Sequence, residues 1–471
     1  MGGVNGMSGP TLRQRVLRGG AYLAARQGVG TLINIAGVLL LTRVIGPAQF
    51  GLYAAAVGVF AATQLVAQLG MNVYLVRHPE EPAPEMYHQA AVVLAGSAAL
   101  FAAGGVVLAP VIEQITRLEG VRPLIVAAFA AMPVANLTLV PMAHVERALE
   151  YRSVTWIELT AQLAFFVVAV PLAFAGWGAW APLLGWWSQH LVNFGLYHRL
   201  VGYRPRWHFD AAVAGRMLRY GIAYAASLWL WHLRRLVNPF VVGRFLGAEA
   251  VAFVAVATQI TTHLSFVANA TWRLATSALA RIQHDTRRMA SAIGEGMPLQ
   301  IVAVAPFLVA FGFVAPWIVP AMLGEEWTMI AVVYPFVAAA WVTIAAFNLH
   351  CSALYVLGRN GRISAYHAAH SALLLVAAFV LVPRYGLIGY GYAELASMGS
   401  FAALHLITTR LVGPIAYEQM APLLVASMLL LFHTQLGWLS IAGAVLAILL
   451  ARPWRAVQGL LAGLRGSYAY E

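Results

Sequence analysis

The chain reads as long apolar runs divided by short polar punctuation. A membrane helix needs about 20 predominantly apolar residues, and runs of that kind recur along almost the whole length. They predict helices near 19–42, 50–74, 88–110, 121–144, 154–175, 178–200, 217–242, 249–272, 298–321, 327–352, 363–383, 386–409, 418–433 and 437–451. The last two are short and are also compatible with a re-entrant pair. WGAW at 177–180 and PRYG at 383–386 are tight turns, and no polar stretch is long enough to build a soluble domain. The first run is much longer than the apolar core of a signal peptide, so it reads as the first membrane helix.

Composition supports the pattern. The 471 residues are 61% hydrophobic and 10% charged, where soluble domains carry roughly 25% charged residues. The fold class is an all-α integral membrane protein of about 14 transmembrane helices. The lone Cys351 excludes an intrachain disulfide and a cysteine metal cluster. His367 and His370 have metal-ligand spacing but no carboxylate or cysteine beside them, so they read as interfacial histidines, and no metal or cofactor is expected. No glycine motif for a nucleotide is present.

Charge adds orientation. The net charge is +12 and every one of the 29 basic residues is arginine. With the N-terminus inside, 21 arginines flank the helices on the inner side, five on the outer side, and three lie within helices. Such a bias predicts a multi-pass membrane protein with both termini cytoplasmic. Arginines dispersed over membrane-flanking loops do not fit nucleic acid. The C-terminal stretch 452–466 mixes arginines with Trp454 and leucines, and either lies flat on the inner leaflet or is a frayed tail.

The chain also repeats. Arg18, Gly20, Ala24, Ala25, Leu32, Arg43 and Gly46 recur as Arg219, Gly221, Ala225, Ala226, Leu233, Arg244 and Gly247, at a constant offset of 201. The copies start on the first and seventh helices, so the halves share an orientation, as in transporters built from parallel repeats. This predicts an N-terminal six-helix lobe over 1–210, a second six-helix lobe over 211–411, and two extra helices with a short cytoplasmic tail over 412–471.

Residues 39–77 resemble the opening of polysaccharide transporters, the Wzx-like oligosaccharide flippases of the multidrug/oligosaccharidyl-lipid/polysaccharide exporter superfamily. A helix ending in arginine, a Gly-x-x-x-x-Gly-x-Tyr turn and a glycine closing the next helix match Arg43, Gly46, Gly51, Tyr53 and Gly70. Arg147, Leu149, Tyr151, Arg152, Glu158, Gly178, Trp180 and Ala181 are similar to the fifth and sixth helices of that family, and 387–397 to its C-terminal half. The resemblance implies two pseudo-symmetric six-helix lobes, two C-terminal helices and a central cavity opening to alternate sides.

The chemistry concentrates in LWLWHLRRLVNPF at 228–240. Arg234 lies 15 residues beyond Arg219, so about 22 Å along the helix and in the outer half of the hydrocarbon. Ser227, Trp231, Arg234, Arg235 and Asn238 share one helical stripe, extended inward by Tyr224. Intramembrane charge is costly and usually functional. Paired guanidiniums suit phosphate oxygens, and tyrosine and tryptophan faces suit sugar rings. Arg26, with Asn34 on the same face of the first helix, either snorkels to the inner interface or meets the head group on the cytoplasmic side. Glu394 either pairs with the arginines or titrates during transport. Glu158 reads first as an interfacial carboxylate near Arg147 or Arg152.

Together with the resemblance, these residues imply a non-enzymatic flippase. It moves a polyprenyl-pyrophosphate-linked oligosaccharide from inner to outer leaflet by alternating access through a cationic cavity, with membrane lipids and glycan-assembly proteins as partners. The alternatives are a cation-coupled drug or metabolite antiporter of the related multidrug-extrusion group, and a polytopic membrane glycosyltransferase or polymerase. Intramembrane arginines outnumber carboxylates, against the first. The outer connections are short, with Glu325 and Glu326 as their one acidic cluster, against the second.

Overall fold

At Gly46 the backbone takes φ 73° and ψ 167°, and the helix Leu12–Ala67 turns there into two spans. Gly247, its counterpart in the repeat, takes φ 83° and ψ −175° and divides Gly243–Leu264 in the same way. Left-handed extended backbone of this kind is essentially confined to glycine. Gly386, at φ 60°, breaks Asn360–Ser397.

The computed structural model describes residues 12–451, with the backbone alone for residues 12–29, 31, 32, 35, 223, 224, 227, 269, 270, 273, 274 and 451. No strand occurs among the described residues. Divided at the three glycines, the helices trace fourteen spans. The first two come from Leu12–Ala67, the second continuing through Met71–Arg77. Pro84–Thr116 is the third, 121–147 the fourth, Tyr151–Phe174 the fifth and Trp180–Val201 the sixth. The seventh begins with Ala211–His232, and the eighth ends with Phe266–Arg281. Thr286–Leu323 is the ninth and Met329–Val356 the tenth. Spans eleven and twelve lie over 360–412, and Met420–Leu431 and Trp438–Ala451 open the last two. Among the described residues, eight helices meet the length and hydropathy of a membrane crossing, and the last two spans are shorter apolar helices. Leu100, Val107, Val167, Phe174, Trp317 and Val376 lie more than half exposed, as lipid-facing side chains of a multi-pass membrane protein do. The stretch 452–466 lies outside the described residues.

The chain forms two compact units, Met1–Trp229 and Leu230–Glu471. In the first, Met71, Leu75, Leu94 and Val140 pack with Met217 of the seventh span. Gly221 makes that approach close: a Cβ there would sit 2.1 Å from the Leu69 carbonyl oxygen. Arg147, at the end of the fourth span, donates to the carbonyls of Leu75 at 3.2 Å, Val76 at 3.3 Å and His78 at 2.8 Å, and to that of Glu80. It thereby satisfies acceptors that the end of Met71–Arg77 leaves without helical donors. Asp210 accepts from the backbone N–H groups of Ala212 and Val213 at 2.7 and 3.0 Å, starting the seventh span.

In the second unit Ile293, Met297, Ile301, Tyr334, Val342 and Leu349 form the core, joined by Leu423 and Leu431 of the thirteenth span. A second polar knot lies in this unit. The Tyr417 hydroxyl sits 2.7 Å from His350 Nε2 and 2.6 Å from His405 Nδ1, tying the loop before the thirteenth span to spans ten and twelve.

Candidate functional site

The seventh span does not pass the arginines as a uniform α-helix. Ala211–His232 is α-helical, Leu233–Leu236 tightens to 3₁₀, and Asn238–Val242 loosens to π with Pro239 inside it. Proline removes a backbone donor, and short 3₁₀ and π segments often mark functional positions. Three residues per turn separate adjacent side chains by about 120°, so Arg234 and Arg235 diverge more than in a regular helix.

Arg234 turns toward the twelfth span. Its Nη2 lies 3.0 and 3.3 Å from the two carboxylate oxygens of Glu394, whose side chain is 2% exposed. The Tyr390 hydroxyl donates to Glu394 Oε1 at 2.6 Å. The guanidinium carbon sits 4.9 Å from the ring centre of Trp231, within cation–π range. Trp231 stacks on His370 at 5.3 Å between ring centres and lies 5.1 Å from His367. His370 Nδ1 meets Ser400 Oγ at 2.8 Å, and its Nε2 has no partner among the described residues. Ser371 Oγ donates to the Leu230 carbonyl at 2.7 Å, so the eleventh span holds the turn before Trp231. Arg234 is therefore neutralised within a stack of aromatic rings and one carboxylate.

Arg235 is exposed, and no ion pair to it occurs among the described residues. Asn238 donates from Nδ2 to the Val251 carbonyl at 3.0 Å, while its Oδ1 is buried and has no partner there.

The remaining sequence-derived positions lie elsewhere. The side chains of Tyr224, Ser227 and Arg26 lie outside the described residues. Asn34 is partly buried on the first span, between two glycines packed on the fifth: Gly30 accepts from Gln162 Nε2 at 2.6 Å, and Gly37 abuts Phe166. Glu158 is partly buried within electrostatic reach of Glu146, and Arg147 is engaged by carbonyls.

His367 and His370, expected as interfacial histidines, are 7% and 1% exposed, packed against Trp231 and Tyr366. Tyr390 was missed, although it precedes Glu394 by one helical turn, the spacing at which side chains meet. No cluster of three or more metal-binding side chains occurs among the described residues.

Residues 40–332 match the family model described as "Polysaccharide biosynthesis protein". The chain belongs to the polysaccharide biosynthesis protein family. This polysaccharide biosynthesis protein is 23% identical over 328 residues to the lipopolysaccharide biosynthesis protein WzxC of Escherichia coli (strain K12), covering 68% of this chain and 65% of that one. It is 27% identical over 169 residues to the amylovoran biosynthesis protein AmsL of Erwinia amylovora, covering 35% of this chain and 44% of that one. The chain thus spans less than two thirds of the length of either curated relative.

Among solved structures, the lipid II flippase MurJ in an inward closed conformation matches with a TM-score of 0.66 at 12% identity, covering 92% of this chain and 99% of that one. An inward-facing multidrug resistance MATE family transporter of the MOP superfamily matches with a TM-score of 0.62 at 15% identity, covering 81% and 95%. The chain therefore shares the helical fold of these two structures.

Proposed function

We propose that the protein is a flippase that carries a polyprenyl-pyrophosphate-linked oligosaccharide from the inner to the outer leaflet of a bacterial inner membrane, with both termini cytoplasmic and access alternating between the two sides. The observation that carries the reading is the asymmetry of the twin arginines. Arg234 is neutralised by Glu394, whereas Arg235 is exposed and has no ion pair among the described residues. A cation held on a membrane span without a protein carboxylate favours an anionic cargo, and a guanidinium fits phosphate oxygens. Arg234, Trp231 and Asn238 hold Arg235 in place through the ion pair, the aromatic stack and the bond to Val251. Arg26, Asn34 and Tyr224 remain substrate-side positions in this reading. Membership of the polysaccharide biosynthesis protein family, and likeness to the lipopolysaccharide biosynthesis protein WzxC and the amylovoran biosynthesis protein AmsL, support a glycan cargo over a drug.

The test uses purified protein in vesicles loaded with a fluorescent polyprenyl-pyrophosphate sugar, read by quencher accessibility. Wild-type protein exposes the label to the outer quencher. Arg235→Gln, at equal thermal stability, is expected to lower the initial rate at least tenfold. A well-folded Arg235→Gln protein flipping at the wild-type rate overturns the assignment of the anion contact, and wild-type protein that never moves the lipid overturns the function.

A further inference from the structure

Spans five and six of the first unit are antiparallel neighbours joined by a short turn. They approach so closely that a Cβ on Gly185 would lie 2.6 Å from the Phe165 carbonyl oxygen. Arg152, the second residue of Tyr151–Phe174, and Arg199, near the end of Trp180–Val201, therefore come to the same membrane edge. Between them opens a lateral cavity of about 680 Å³.

Its composition is divided by depth. The two arginines stand at the edge, both exposed, and neither is ion-paired among the described residues. Trp156 lies one turn further in than Arg152, about 6 Å deeper, and is 62% exposed. Ile157 and Leu196 complete an apolar floor on the membrane side, and Leu200 flanks Arg199 at the edge. Glu150, the residue before the fifth span, accepts from Ser153 Oγ at 3.4 Å.

We propose that this cavity is a binding site for an anionic glycerophospholipid of the adjoining leaflet. The phosphate lies between Arg152 and Arg199, and one acyl chain runs over Trp156, Ile157 and Leu196. Two fixed positive charges at a membrane edge select a negative head group. The apolar floor behind them selects a ligand that carries a chain, which a soluble phosphate does not. A zwitterionic lipid fits the floor but gains less at the edge. The site is built wholly from residues of the first unit and does not depend on the transport reading.

Native mass spectrometry of the detergent-purified full chain, titrated with phosphatidylglycerol or phosphatidylcholine, tests this. Wild-type protein is expected to retain one phosphatidylglycerol in preference to phosphatidylcholine. Arg152→Gln with Arg199→Gln should weaken phosphatidylglycerol about 30-fold, corresponding to ~2 kcal/mol at ~1 kcal/mol per arginine, and leave phosphatidylcholine unchanged. The Lys pair should restore binding, and Trp156→Ala should weaken both lipids. If the double variant does not fold, Arg199→Gln alone should show about half the loss on a logarithmic scale. Equal retention of the two lipids, unchanged phosphatidylglycerol binding in a folded variant, glycerol phosphate binding as tightly as phosphatidylglycerol, or displacement of phosphatidylglycerol by sub-stoichiometric polyprenyl pyrophosphate would each overturn it. The last result would make the cavity a cargo site.

Discussion

Arg234 Nη2 stands 3.0 Å from Glu394 Oε2, with the two side chains 12% and 2% exposed, so the charge that the sequence places within a membrane span is answered by a carboxylate 160 residues away. Burying two charges is expensive, and the pair is maintained by its added hydrogen bonds. Tyr390 supplies one of them.

Removing one partner leaves the other uncompensated. Glu394→Gln is expected to destabilise the protein by about 3 kcal/mol, read as a lower thermal midpoint in detergent. Adding Arg234→Gln should recover part of that loss, because the amides can bond each other. A midpoint unmoved by Glu394→Gln would show that the ion pair does not hold the stack.

Tyr390→Phe removes a hydrogen bond to a charged acceptor and leaves the ring. The expected cost is about 1.5–3 kcal/mol. A double-mutant cycle with Glu394→Gln separates this bond from ring packing, and strictly additive effects would argue that the hydroxyl does not act through Glu394.

Gly46 and Gly247 share a backbone conformation that side chains resist. A Cβ on Gly247 would meet open space, so Gly247→Ala should cost only backbone strain, about 1–3 kcal/mol. Gly46→Ala should lower the thermal midpoint by a similar amount. Gly221→Ala fails for another reason, steric collision with the Leu69 carbonyl, at about 1–3 kcal/mol. Wild-type midpoints for all three would contradict these backbone assignments.

Asp210 is held below its ordinary carboxylate value of 3.8, chiefly by the N–H groups of Val213 and then Ala212. A depressed carboxylate stabilises the fold above its unfolded pKa and loses that contribution as pH falls through the folded value. Its effect is therefore fully present at neutral pH and fades below about pH 4. Asp210→Asn should show a smaller acid-dependent loss of thermal midpoint than wild type between neutral pH and pH 3. Identical pH profiles would remove Asp210 from the cap.

Much of the architecture was legible because apolar runs of membrane length carry their own signal. The offset of 201 between Gly46 and Gly247 marked both kinks, since only a residue without a side chain tolerates that backbone. The site was legible in part. Arg234, Arg235 and Glu394 stand out as charges in apolar surroundings, and their similar depth follows from helical rise. What no pattern revealed is which arginine meets the carboxylate. That choice depends on the 3₁₀ turn at Leu233–Leu236 and on His370 reaching Trp231 from a span over a hundred residues away. No sequence pattern pairs His350 with His405 for the same reason: Tyr417, which joins them, lies on a loop whose path is set by packing.

Arg147 grips four main-chain oxygens at once, which makes one guanidinium the clasp that closes the end of the second span. An ammonium on a single flexible stem has three donors radiating from one point and does not reach four acceptors spread over six residues. In a chain written without lysine, the exchange that conserves charge is therefore not a neutral one here. The same arginine that counts toward membrane orientation also sets the shape of the edge beside it.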